Sequence, residues 1–291
     1  MDAGLLLQLL VNGLVIGAIY ALVASGLSLV FGVLGIVNFA HGEFYMAAAM
    51  LAYFVSADLS LPYGAMILAV VLSAFCIGFV LYEALLRHLA GKDFERSVLA
   101  TMGLAMVLQN GAIFLFTTTP RSVASPYAYV AYSFGEVSVP VLRLAALAMT
   151  AAALGLVWFV LQRTQLGRAM RGVSQNPEAA AMVGIDARAI ARLAVAIGIA
   201  LAGLAGAALA PVYAVHPAMG VAFVFKAFAI VIIGGLGNFG GSILAALMVG
   251  VVESVAGTLH SMVVADGISF AFMILVLLLK PEGLFGRGVR L

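Results

Sequence analysis

The chain is predicted to fold as an all-α bundle of membrane-spanning helices, and three observations carry that expectation. Of its 291 residues, 65% are hydrophobic and 9% are charged, against about 45–50% and about 25% in soluble domains. Mean hydropathy is +1.21. The apolar residues gather in long runs, and only helices or closed barrels satisfy their backbone inside lipid. These runs are too long and too weakly alternating for barrel strands. A water-soluble enzyme and a disordered chain are both excluded.

A spanning helix needs roughly 20 apolar residues, so the chain accommodates about eight spans. The runs lie near 5–31, 43–57, 64–88, 97–118, 141–161, 189–214, 222–234, 241–259 and 267–280. The first twenty residues carry Asp2 and no Lys or Arg, which is not the pattern of a signal peptide. Two runs are short and border glycine-rich stretches: Gly32 to Gly42, which contains Asn38 and His41, and Gly234-Gly235-Leu236-Gly237-Asn238-Phe239-Gly240-Gly241. Discontinuous or re-entrant segments are expected near 32–42 and 234–241, buried in protein or lining a watery cavity. Each has Leu-Gly, then Asn-Phe, then small residues, so a faint internal duplication is one reading and coincidence the other.

Orientation follows from Lys and Arg. Arg87, Lys92 and Arg96 form one basic segment, Arg163, Arg168, Arg171, Arg188 and Arg192 a second, and Lys280, Arg287 and Arg290 a third. All three are expected in the cytoplasm, which sends the segments near 119–140 and 211–221 outward and places the N-terminus outside. Small residues recur every four positions at Gly13, Gly17, Ala21 and Ser25; at Ala194, Gly198, Ala202, Gly206 and Ala210; and at Ala246, Gly250 and Ser254. That spacing puts each set on one helix face, where backbones approach closely. The first two stripes have either the bundle or a second subunit as their partner.

The segment 163–192 carries the most local information. Asn176 is a good N-cap and Pro177 fits the first helical position. Glu178 places negative charge at the positive helix end. Gly184 can adopt the left-handed conformation that ends a helix. A helix of about two turns is expected over roughly 177–183, with Asp186 capping the following span. Ala179, Ala180, Met182 and Val183 are available for contact. So short a helix is not stable alone: it either rests on the bundle or docks into a soluble partner.

Ionisable groups in spans suggest function by default. Glu83 and Arg87 pair at i, i+4. Lys226 either snorkels toward the outer interface or has a role near a translocation path. His41 and Glu43 either line a polar gate or satisfy backbone groups released by the glycines. Asn38 and Asn238 do similar backbone work. Glu253 has no obvious local partner and faces a subunit interface or a pore. Gln109 and Asn110 line a path or bond across helices.

Gly235-x-Gly237-x-x-Gly240 imitates a dinucleotide fingerprint, but it lacks the βαβ context the fingerprint requires. Gly91-Lys92 lacks the rest of a nucleotide-binding loop, so any ATP would have to be bound by another chain. The single Cys76 and four scattered histidines offer no metal cluster, and no cofactor is expected. A net charge of +2 gives no reason to invoke nucleic acid.

Glu178-Ala179-Ala180, three residues, then Gly184 resembles the EAA loop of ABC-importer permeases. The longer string Gly167-Arg168-Ala169-Met170-Arg171, then Asn176-Pro177-Glu178-Ala179-Ala180 and Gly184-Ile185, is similar to the branched-chain amino acid permeases of the LivH type. So are Asn38-Phe39-Ala40-His41-Gly42-Glu43, Leu201-Ala202-Gly203-Leu204-Ala205-Gly206 and Gly234-Gly235-Leu236-Gly237. The resemblance implies a multi-pass subunit of the bacterial inner membrane in contact with lipid. It implies a second homologous permease subunit, two cytoplasmic ATP-binding subunits and an extracytoplasmic substrate-binding protein. On this reading Arg168, Arg171, Asn176 to Ala180 and Gly184 couple to the ATPase. Asn38, His41, Gly42, Glu43, Gly234, Gly235, Gly237, Asn238 and Glu253 belong to the translocation path or its broken helices. A carrier or channel working alone is the alternative, though it has no need of the Glu178–Gly184 loop.

Overall fold

A computed structural model describes residues 3–59, 61–125, 127–134 and 137–286. Helix α1 (Ala3–Leu34) is the central rod. It stops at Gly35, whose φ of +66° is the left-handed conformation that ends helices. Residues 35–40 run without regular structure, and α2 (His41–Leu59) follows. Next comes α3 (Tyr63–Leu81), which continues through a π turn (Tyr82–Leu86) and α4 (Arg87–Leu89). After α5 (Phe94–Phe116) a short antiparallel hairpin, β1 (Ala131–Phe134) and β2 (Val137–Pro140), caps the bundle. The chain then forms α6 (Val141–Arg163), α7 (Gln165–Gln175), α8 (Pro177–Met182), α9 (Ala187–Leu209), α10 (Met219–Gly234), α11 (Phe239–Leu259) and α12 (Met262–Leu279).

Among the described residues, seven helices are long and apolar enough to cross a bilayer, rather than about eight. They are α1, α3 with its continuation, α5, α6, α9, α11 and α12. Helix α2 is long enough but more polar, carrying His41, Glu43 and Asp58, and α10 has only 16 residues. The irregular stretches are narrower than 32–42 and 234–241. Gly32 and Gly42 are helical, and the second break is confined to residues 235–238.

The small-residue stripes pack within the chain. A Cβ on Gly13 would lie 2.6 Å from Val251 Cα, and one on Gly17 would lie 2.8 Å from Leu247 Cα. The first and third stripes therefore form the α1–α11 crossing, and Ser254 Oγ donates to the Leu9 carbonyl there at 2.8 Å. The second stripe meets α1 at Gly26–Gly198 and α2 at Gly206. Lipid supplies no hydrophobic drive between helices, so these contacts hold the bundle by close van der Waals approach.

The polypeptide's connections sort to two ends. At one end Gln8 hydrogen-bonds the backbone of Ser138, and Arg121 forms a β-bridge with Val215. The segments near 119–140 and 211–221 thus share an end with the start of α1, as the basic-residue count requires. The opposite end gathers Arg87, Lys92, Arg96, Arg163, Arg168, Arg171, Arg188, Arg192 and Lys280, where Glu83 bonds both Arg87 and Arg192. Arg287 and Arg290 lie outside the described residues.

Candidate functional site: a broken helix, a coupling loop and a buried charge network

The first break is stabilised by a neighbouring helix. Thr101 Oγ1 on α5 accepts from Phe39 N at 3.2 Å and lies 3.2 Å from Val37 O, while its shortest donor contact is to Ser97 O of its own helix at 2.8 Å. Asn38 Oδ1 accepts from Ala40 N at 3.1 Å, so Asn38 does the expected backbone work at the start of α2. Gly42 packs directly on the Gly220 carbonyl in the first turn of α10, where a Cβ would also lie 2.8 Å from Val224 Cβ. Neither His41 nor Glu43 makes a well-formed side-chain hydrogen bond, although the His41 imidazole faces the Val23 backbone of α1. His41 is 0% and Glu43 2% exposed, yet both His41 ring nitrogens and Glu43 Oε2 lack hydrogen-bond partners. Two residues apart on a helix, they diverge: His41 Nε2 lies over Gly26 at the α1–α9 crossing, and the Glu43 carboxyl lies over Gly220 of α10. Ser25 Oγ, Ser28 Oγ and Asn38 Nδ2 nearby are also buried without partners. Buried polar groups in native proteins are almost always bonded, so this concentration is unusual.

The second break folds against the basic end. Gly235 and Gly237 have φ of +98° and +76°. Asn238 Oδ1 accepts from Gly241 N at 3.0 Å, and its Nδ2 donates to the Phe285 carbonyl at 2.6 Å. Gly234 packs on Gly241, and a Cβ on Gly237 would lie 3.1 Å from Gly32 Cα. This break therefore closes beneath the inner end of α1 and under residues 280–286.

The structure overturns one expectation about charge: Glu253 has a partner, the Lys226 ammonium. Lys226 Nζ lies 2.6 Å from Glu253 Oε1 and 2.9 Å from Asp266 Oδ1. Tyr20 Oη donates to Glu253 Oε1 and accepts from Lys226 Nζ, both at 2.9 Å. Tyr20 and Glu253 each stand 14 residues from the basic-end terminus of their helix, about 21 Å along the axis. The network thus ties α1, α10, α11 and α12 together toward the end opposite the basic residues, Asp266 standing in the second turn of α12. Phe223, one turn before Lys226, stacks on Tyr45 with centroids 4.0 Å apart and meets Tyr20 edge-on at 5.5 Å. Tyr20 and Asp266 escaped the sequence analysis, although Asp266 is the lone charge of α12 and Lys226 that of α10. Isolated opposite charges in neighbouring spans were the available signal. Asn110 bonds only its own helix, through Met106 O, and does not bridge to another.

In the segment 163–192 the local chemistry is realised. Asn176 Oδ1 accepts from Glu178 N and Ala179 N at 3.0 and 2.9 Å, with Pro177 opening α8. Gly184 adopts φ +83°, and Asp186 Oδ1 caps α9 through Arg188 N and Ala189 N. Ala180 is not a contact residue: it is buried, and its carbonyl accepts from Ile185 N. Met182 and Val183, 83% and 76% exposed, form the projecting tip, with Glu178 beside them. The preceding stretch is the helix α7 and not a loop. Thr164 caps it, and Leu166, Met170 and Val173 line its inner face at the helical spacing. Met170 packs between Leu29 of α1 and Ala194 of α9. Arg171 fastens α7 to the end of α6 by donating to Leu161 O, while Arg168 is exposed.

Comparison with known proteins follows the same architecture. The family described as "Branched-chain amino acid transport system / permease component" matches residues 9–277. The high-affinity branched-chain amino acid transport system permease protein BraD of Pseudomonas aeruginosa is 30% identical, over 97% of this chain and 96% of the relative. LivH of Escherichia coli K12 is 29% identical over 97% and 96%. The probable LivH of Methanocaldococcus jannaschii is 26% identical over 96% and 92%. With the family matched over residues 9–277 and BraD 30% identical over nearly its whole length, the chain belongs to the permease components of branched-chain amino acid ABC transport systems, as a multi-pass inner-membrane transport subunit and not an enzyme.

Proposed function

We propose that this permease carries branched-chain amino acids inward along the face where α1, α2 and α10 meet, driven through α8 by separate ATP-binding subunits. The observation that carries the path is the set of buried, unpartnered polar atoms at the start of α2. An unbonded polar group in a dry interior costs about 1–3 kcal/mol, so these atoms call for water or a polar solute in another state of the transport cycle. An amino acid is zwitterionic. Glu43 offers an acceptor to an ammonium group, and the imidazole of His41 offers a donor or an acceptor. The small residues Gly42 and Gly220 let α10 lie against α2 when the path is shut and leave little to obstruct their separation.

Coupling is assigned to the tip of α8. Met182 and Val183 present apolar surface to the aqueous side, which suits docking into a cleft of an ATP-binding subunit. A second homologous permease and an extracytoplasmic substrate-binding protein complete the assembly. The test is leucine uptake into proteoliposomes holding the full assembly. Uptake should require ATP and the binding protein. Glu43→Gln and His41→Ala should each cut it severely while leaving the assembly intact. ATP-independent uptake by this chain alone would refute the coupling, and unchanged uptake in both variants would refute the path.

A further inference from the structure

We propose that the basic-end cavity between α3 and α9 holds the phosphate headgroup of an anionic phospholipid, with an acyl chain in the adjoining groove. The cavity, of about 730 Å³, is lined by Tyr82, Glu83, Arg87, His88, Arg188 and Arg192 among others. Its charges are incompletely matched. Glu83 is shared, at 2.7 Å from Arg87 and 3.3 Å from Arg192. Asp186 Oδ1 is committed to the backbone N–H groups that open α9. Arg188 forms no ion pair among the described residues. Arg192 Nε is buried and bonds nothing there. Three guanidinium groups thus face two carboxylates, and this excess of donors suits a phosphate, which guanidinium forks bind bidentately.

A second groove identifies the source of that phosphate. It shares Glu83 and Arg192 with the cavity and continues along α3 past Phe79, Val80 and Ala84. Val80 is 66% exposed. A cavity rimmed by charged side chains at the basic end that opens onto an apolar surface groove along α3 matches a lipid, headgroup and tail together. Free phosphate would use only the first half. The π turn at Tyr82–Leu86 widens α3 where the two spaces join. The site also adjoins Ile185 and Asp186, which follow α8, so lipid bound here would brace the exit of the coupling segment. This inference does not depend on the solute path.

The test uses the full assembly, purified in mild detergent from membranes containing phosphatidylglycerol and phosphatidylethanolamine, with retained lipid measured by mass spectrometry. Wild type should keep phosphatidylglycerol through delipidation. Arg188→Gln should lower its retention about tenfold, as expected for loss of a charge-assisted contact, with phosphatidylethanolamine unchanged. Arg188→Lys should fall between the two, and Phe79→Ala should weaken retention from the tail side. Among the described residues Arg188 bonds no other helix by its side chain, and monodisperse elution checks that each variant is folded. Equal retention in wild type and Arg188→Gln would overturn the proposal. So would displacement of the lipid by millimolar inorganic phosphate, which would assign the cavity to the free anion. Lipid present on the isolated permease but absent from the assembly would also overturn it, assigning the cavity to a partner subunit.

Discussion

Lys226 offers the sharpest test of how the bundle is held together. Replacing it with Met removes the cation that sits 2.6 Å from Glu253 and 2.9 Å from Asp266. The Glu253 side chain is only 3% exposed, against 44% for Asp266, so the cost falls mainly on Glu253. Breaking a buried pair by removing one partner typically costs about 3–5 kcal/mol. A destabilisation of about 3–4 kcal/mol is expected, in the lower part of that range because Asp266 keeps access to water. Lys226→Met/Glu253→Gln should recover at least about 2 kcal/mol of it, because the introduced glutamine can still bond Tyr20 and carries no charge to bury. Reversible SDS unfolding in mixed micelles, run on both single variants and the double, measures each term. A Lys226→Met protein within about 1 kcal/mol of wild type would refute the argument. So would a coupling energy below about 0.5 kcal/mol, the range expected of independent sites.

Three further outcomes are expected. Gly198→Ala should destabilise the bundle by about 1–3 kcal/mol, because its Cβ would lie 2.7 Å from Val30 Cγ2 and 2.8 Å from Gly26 O; Gly103→Ala, with open space around it, should be neutral or stabilising, and equal effects in SDS unfolding would contradict the packing account. Asn176→Ala removes the two cap bonds of α8 and should cost that helix about 1 kcal/mol, read as faster hydrogen exchange over 177–182 with global stability unchanged; unaltered exchange would show that the cap contributes nothing. Met182→Asp should abolish co-purification of the ATP-binding subunits while leaving the permease folded, since the side chain is 83% exposed; normal co-purification and uptake would remove α8 from the coupling role.

Much of this fold was legible because membrane helices announce themselves by run length, and because caps and left-handed glycines act over three or four residues. Asn176, Pro177, Gly184 and Asp186 do what local chemistry requires of them. Helix α7 was equally local, yet its polar face and basic residues gave it the composition of a loop, and only the spacing of Leu166, Met170 and Val173 betrays it. The charge network was not legible as a network. Lys226 and Glu253 are 27 residues apart, and Asp266 comes from a third helix, so their meeting depends on helix rotations that one chain's periodicity does not specify. Ala180 illustrates a finer limit. In a two-turn helix one residue's shift in phase decides whether a methyl group faces the bundle or the solvent, and composition is silent on that.

The same contacts suggest how a pull on α8 would reach the first break. Ala180 anchors α8 to Ile185 at the entry to α9, and Met170 of α7 is wedged between Leu29 and Ala194. The tip therefore cannot move far without carrying the inner ends of α1 and α9. Those two helices meet again at Gly26 and Gly198, where neither position has room for a Cβ. A crossing that tight rotates as one body far more readily than it slides, since close-packed interfaces resist continuous deformation. His41 rests on the same crossing, and Glu43 lies half a helix turn away against α10. Helix α1 is in turn locked to α11 by its glycine stripe and to α10 and α11 through Tyr20, Glu253 and Lys226, so a tilt of the α1–α9 pair would carry α10 and α11 with it. The start of α2, wedged between the α1–α9 crossing and α10, is then what such a tilt would press or release, and the unpartnered groups lie there.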